Sequence, residues 1–183
     1  MGRNEKLTGI LRHIKKVENN CNLLAQKLEL EDEIFSRALV QRGRLHDVSK
    51  LNEFEFKHLN GESKMLQFAL HLHHAKNSHH PEFHEIKQLD CYKGWVKDPS
   101  NKPEEFILEK GIFLMSELDI AEMVCDCLAR SQEFGSDVNE WFFERAPKKY
   151  GYEDGDKVWN SIKKYLSLLL TPKFENKIPH SKL

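Results

Sequence analysis

From Leu7 nearly to Leu170 the apolar residues return every three or four positions, and no stretch alternates with the two-residue rhythm of a strand. Ile10, Leu11, Ile14, Val17, Cys21, Leu24 and Leu28 trace one such stripe. A chain patterned this way buries its core between helices, so an all-α, single-domain bundle of about seven helices is expected. Asp32 can cap a second helix, which Gly43 ends. Residues 52–59 and 62–74 read as helical pieces on either side of Gly61. Between residues 77 and 109, Pro81, Gly94, Pro99 and Pro103 interrupt a polar stretch that reads as loops with short helical turns. Residues 112–134 form the most apolar helix, followed by helices over 138–145 and 156–170 and a flexible tail over 171–183.

Several function classes drop out early. With 28 Lys and Arg against 29 Asp and Glu, the chain lacks the broad basic face that holds duplex nucleic acid. No apolar run approaches the ~18 residues needed to cross a bilayer. No apolar stretch follows residues 1–6, so no secretory signal is expected and the location read is cytoplasmic. Cys21, Cys91, Cys125 and Cys127 match no zinc-finger or redox spacing and read as reduced core thiols. The terminal Ser181-Lys182-Leu183 has the form of a peroxisomal address and is read as a coincidental polar end. Trp141, Phe142, Phe143, Trp159, Tyr165 and residues 168–170 read as core packing, with a homodimer surface as the alternative.

The chemistry lies in the histidines. Of ten, eight fall from His46 to His84. The run from His71 through His73, His74, Asn77, His79 and His80 to Glu82 is dense in imidazoles that would repel one another if protonated. Neutral imidazole is the commonest side-chain metal ligand, so His73, His74, His79 and His80 are candidate donors. His73 and Asn77 are four apart on one helix face, which favours His73 over His74 as the inward one. Asp119, Glu122 and Asp126 interrupt the apolar helix at offsets of three and four and share one face. Buried carboxylates need a partner or a metal, because desolvating an unpaired ion costs several kcal/mol. His46 and Asp47 are adjacent; on a helix they would point about 100° apart and meet one ion only at its edge. His13 lies beside the first apolar stripe.

In order along the chain, His13, His46-Asp47 and Asp126 resemble the HD-domain superfamily of metal-dependent phosphohydrolases, whose pattern is a His, a later His-Asp pair and a distant Asp. Lys50 stands where many members carry a lysine three residues after that Asp. The chain looks closer still to small uncharacterised bacterial and phage proteins of this HD-like type. The shared stretches are His46-Asp47-x-Ser49-Lys50 followed by Glu53-Phe54-Glu55-Phe56, then Asn77-x-His79-His80-Pro81-Glu82, then Glu122-Met123-x-Cys125-Asp126. The likeness covers about residues 10–135 of a domain spanning 1–170, leaving the helices over 137–170 unmatched. Ser49, often Gly in the superfamily, and a Pro-rich insertion around 92–110 depart from it.

The resemblance implies an HD-like bundle in which His13, His46, Asp47 and Asp126 hold a divalent ion. A second ion would lie between Asp47 and the histidines of 73–80, with His58 a possible extra ligand. Mn, Fe, Zn, Mg and Ni are not distinguished. A metal-bound water would attack phosphorus, Asp47 bridging the ions, Glu122 orienting a ligand or acting as general base, and Lys50, Lys76 or Asn77 binding substrate. The substrate class implied is a nucleotide or other small phosphorylated compound. The alternatives are a di-iron, HD-type oxygenase and a catalytically silent, metal-stabilised module that binds a nucleotide or a protein.

Overall fold

The stripe that begins near Leu7 becomes α1 (Arg3–Leu28), which buries Val17, Cys21, Leu24, Ala25 and Leu28 along one face. Asp32 accepts from the Phe35 N–H at 2.8 Å and starts α2 (Glu33–Leu45). A computed structural model describes residues 2–59, 61–97 and 107–171 of the chain. After α2 come a 3₁₀ turn (Val48–Leu51), α3 (Glu53–His58), α4 (Leu66–His74) and α5 (Pro81–Lys97). A second 3₁₀ turn (Gly111–Leu114) leads to α6 (Glu117–Phe134). Three short pieces follow, α7 (Val138–Glu140), a π turn (Trp141–Arg145) and α8 (Ala146–Tyr150), and then α9 (Lys157–Leu170). Seven helices thus reach six residues or more, and no strand occurs among the described residues. The all-α bundle is the fold.

α6 packs between α1, α2 and α9, with Ile120, Ala121, Val124, Cys125 and Leu128 buried. Ser116 caps it reciprocally with Asp119. Asn20 on α1 donates to the Cys125 carbonyl at 3.1 Å, fixing how α1 crosses α6. Phe142 and Tyr165 are buried and Trp141, Phe143 and Trp159 pack against the same core, so the aromatic residues near the C-terminus are core packing. Among the described residues no helix is long and apolar enough to cross a membrane.

Several local expectations need correction. Gly43 does not end α2, which runs two residues further. Its hydrogen instead lets α2 approach α1: a Cβ there would stand 2.6 Å from Cys21 Cβ. Gly43→Ala is therefore expected to lower stability by about 1–3 kcal/mol, through overpacking of a close helix contact. Chemical denaturation of the variant beside the wild type measures it.

Loops were expected over 77–109, where α5 forms. Pro81 is its first residue, a position where a missing N–H costs nothing. The helix is polar on most sides, so no apolar stripe announces it, and its anchors are distant in sequence. Gln88 exchanges two hydrogen bonds with the Glu109 backbone, and Glu85 accepts from the Gly111 N–H at 3.0 Å. A Cβ at Gly111 would collide with the Pro81 carbonyl. The helix read over 112–134 is broken at Met115 and Ser116, and that over 62–74 begins only at Leu66. Cys91 is exposed, whereas Cys21 and Cys125 are buried thiols as expected. Residues 98–106 of the Pro-rich insertion, residues 172–183 of the tail and the Ser181-Lys182-Leu183 end lie outside the described residues.

Candidate metal centre

The backbone turn at the end of α2 decides the geometry. His46 leaves the helix (ψ 127°) and Asp47 adopts the left-handed conformation (φ 54°, ψ 16°), the one non-glycine residue with positive φ among those described. That conformation costs roughly 1–2 kcal/mol for most L-residues and least for Asp and Asn. The two side chains are thus not 100° apart on a helix; the turn aims both inward, each 1% exposed.

Asp47 is the shared member of two donor groups. Its Oδ2 faces His46 Nε2 at 3.3 Å and His13 Nε2 at 3.9 Å. Asp126 Oδ1 closes this half, 3.0 Å from His13 Nε2 and 3.6 Å from His46 Nε2. Asp47 Oδ1 faces the other way, 3.2 Å from His73 Nε2 and 3.6 Å from His79 Nε2. His80 Nε2 lies 3.1 Å from His73 Nε2. Of four sets with donor atoms within 4.8 Å of one another, three meet at this point: His13, His46 and Asp126; His46, Asp47 and His79; Asp47, His73 and His80. Donors bound to one ion at 2.0–2.2 Å stand about 3–4.4 Å apart, so this spacing fits metal coordination.

His13, His46, His73 and His79 are each held from behind by a carboxylate. Glu122 Oε1 accepts from Nδ1 of His46 at 3.0 Å and faces His79 Nδ1 at 3.2 Å. Glu55 Oε2 lies 3.1 Å from His73 Nδ1, and Glu133 Oε1 lies 3.3 Å from His13 Nδ1. With a proton on each of these four Nδ1 atoms, a neutral ring turns its Nε2 lone pair to the centre, the arrangement that carboxylates give metal-binding histidines. Seven buried side-chain polar atoms lack a hydrogen-bond partner among the described residues, and five of them meet here: His13 Nε2, His46 Nε2, His79 Nε2, Asp47 Oδ1 and Asp126 Oδ1. Buried polar atoms are almost always satisfied, so five orphans at one point call for a cation between them.

The carboxylates make this a centre that demands positive charge, which protons on the imidazoles or a metal ion can supply. Burial by itself would push the Asp47 and Asp126 carboxyls up. His46 and His73 around Asp47, and His13 and His46 around Asp126, outweigh it and hold both well below the usual carboxylate range. Burial disfavours charge on His46 too, yet Asp126, Asp47 and Glu122 raise its pKa well above the ordinary value. Burial, with the charges of His79 and His73, pushes His80 down to about 2, so it presents a neutral imidazole. The Lys50 ammonium pairs with Asp47 Oδ2 and supplies part of the positive charge the centre demands.

Not every candidate points inward. His74 is only half-buried and groups with His80 and Glu82, away from Asp47. His58 pairs with Ser63 Oγ at 2.7 Å, and its ring lies tilted against that of Phe54. Lys76 donates to Glu55 Oε1 at 2.7 Å, and Asn77 donates to the His73 carbonyl at 2.7 Å and to Ser49 Oγ at 3.0 Å. Both therefore support His73 and its Glu55. Glu122 has no free oxygen for a general base: Oε2 accepts from Arg42 Nε, and Oε1 serves the two histidines. These contacts are those of a residue that orients the two histidines.

Glu55, Glu133 and Arg42 escape sequence reasoning. Glu133 lies seven residues beyond Asp126, two turns along the same face, so extending that periodicity would have found it. Arg42, four before His46, clamps Glu122 and Asp119 and donates to Ser78 Oγ at 2.7 Å, tying α2, α6 and the loop of His79 together. Glu55 owes its inward aim to the Asn52 cap, whose side chain accepts from the Glu55 N–H at 2.9 Å.

The centre opens on a cavity of about 770 Å³ lined by His13, Lys50, His73 and His80 on one side. Residues 2–171 match a protein family described as a family of unknown function, DUF5662. The chain belongs to that family. The match to DUF5662 takes in α1 through α9, so the centre and the C-terminal helices fall within one family's span. No curated protein and no solved structure matches the chain.

Proposed function

We propose that the protein is a divalent-metal-dependent phosphohydrolase acting on a nucleotide or another small phosphorylated compound. The observation that carries this reading is the convergence of five unpartnered buried donor atoms on the two faces of Asp47. His13, His46, Asp126 and Asp47 Oδ2 would hold one ion; Asp47 Oδ1, His73, His79 and His80 would hold a second. Ions there would supply Lewis acidity toward a phosphoryl oxygen and a water acidified toward neutral pH.

The chain's own groups do the rest. Glu122, Glu55 and Glu133 keep each Nδ1 protonated and each Nε2 free. Lys50, at the cavity edge, is placed to bind a phosphate oxygen once its hold on Asp47 is released. The resemblance to HD-type phosphohydrolases in His13, His46-Asp47, Lys50 and Asp126 supports the same assignment. Three imidazoles on the far side of Asp47 favour Mn, Fe or Zn over Mg, whose preferred donors are oxygens. They also suit the second reading, a di-iron oxygenase.

The test combines elemental analysis of the purified protein with phosphate release from a nucleotide panel, repeated for His46→Ala and Asp126→Ala. Bound metal and turnover in the wild type, both lost in the variants, is the expected result. Iron with oxygen uptake and no phosphate release would favour the oxygenase. Metal content and phosphate release unchanged in both variants would remove the proposal.

A further inference from the structure

The cavity in front of the centre is far larger than one phosphate requires, and its charges are unevenly engaged. Five cations line it: Lys6, Arg12, Lys16, Lys50 and Arg130. Three have work within the fold. Lys6 donates to the carbonyls of Phe56 and Leu59 at the end of α3. Lys50 pairs with Asp47, and Arg130 pairs with Glu133 at 3.4 Å. Arg12 and Lys16 have neither a hydrogen bond nor an ion pair among the described residues. They are four apart on α1, which puts their side chains on one face as neighbours. They flank His13, whose imidazole reaches the metal centre.

The same cavity also has an apolar lining, with Ile10, Leu59, Leu66 and Leu70. The two acidic residues on the lining, Glu55 and Glu133, are committed to His73 and His13. The positive charge left without a partner on the cavity lining is therefore that of Arg12 and Lys16, on the helix that carries His13.

We propose that the cavity takes a phosphoester bearing a second anionic group, which Arg12 and Lys16 bind while the first phosphate lies at the metal centre. This deepens the phosphohydrolase reading and rests on it for the role of the first phosphate. The substrate class is a bisphosphate, or a phosphate with a remote carboxylate, in preference to a simple monophosphate.

The experiment compares adenosine 5′-monophosphate with adenosine 3′,5′-bisphosphate on the full-length, Mn²⁺-loaded protein. Binding is measured calorimetrically with their uncleavable methylenephosphonate analogues, and phosphate release with the esters themselves. A charge-assisted contact supports a preference of about tenfold or more for the doubly anionic analogue. In the double variant Arg12→Ala, Lys16→Ala that ratio is expected to fall to about one. Both side chains sit on the solvent side of α1, and the wild-type ratio is informative even without the variant. Preference in binding without phosphate release would leave the subsite standing and overturn the hydrolase. Phosphate release with equal affinities, or a preference that survives the double substitution, would overturn the subsite.

Discussion

Asp47→Asn is expected to empty both halves of the centre at once and to abolish phosphate release, by on the order of 10³-fold or more. Asn is the informative replacement because Asp47 sits at φ 54°. Asn tolerates the left-handed region nearly as well, whereas Ala would add backbone strain to the loss of charge. The change keeps the shape and removes the one carboxylate that faces both donor groups. A ligand that binds only the folded chain stabilises it by about 4 kcal/mol at 1,000 times its dissociation constant. For a domain of this length that is worth roughly 8–16 °C in melting temperature. The wild type should show such a rise on adding Mn²⁺ or Zn²⁺, and Asp47→Asn should not. Circular dichroism on the metal-free variant checks that the helices persist. A variant that still warms with metal would mean that the centre is not built on Asp47.

How much of this centre can be read from the chain depends on what sets each position. Asp119, Glu122 and Asp126 are legible because they interrupt an apolar helix at helical offsets, and all three turn into the protein. The choice of His73 over His74 follows from its i,i+4 relation to Asn77, and Asn77 does hold the His73 carbonyl. The His46-Asp47 pair is different. Its convergence comes from a single left-handed residue at a helix end, and periodicity carries no information about one dihedral angle. α5 is hidden for a related reason: what holds it is a pair of hydrogen bonds from Gln88 to Glu109, made across 21 residues. Local pattern therefore finds the donors that lie on regular helices. It misses what depends on loop geometry or on contacts distant in sequence, including the Glu55 support that stands behind His73.

The same distinction shapes the second large effect. Glu122→Gln is expected to weaken metal binding by about 10–100-fold, the usual cost of removing the group behind a ligand histidine. Every neighbour of this carboxylate is a donor: Arg42 Nε on one oxygen, His46 and His79 Nδ1 on the other. An amide has one oxygen to offer and must turn its NH₂ toward either Arg42 or the imidazoles. Glu122→Ala goes further and leaves the Arg42 guanidinium with Asp119 as its one carboxylate partner, at a cost of about 3–5 kcal/mol for a broken buried ion pair. The Gln variant is therefore the one to measure. If Glu122 acts only by orienting His46 and His79, raising the metal concentration should restore phosphate release close to the wild-type rate. A general base would behave in the opposite way, with metal affinity unchanged and a turnover deficit that no amount of metal repairs. Titrating activity against metal in Glu122→Gln separates the two roles, and an unrescued variant with wild-type affinity would return Glu122 to the reacting groups.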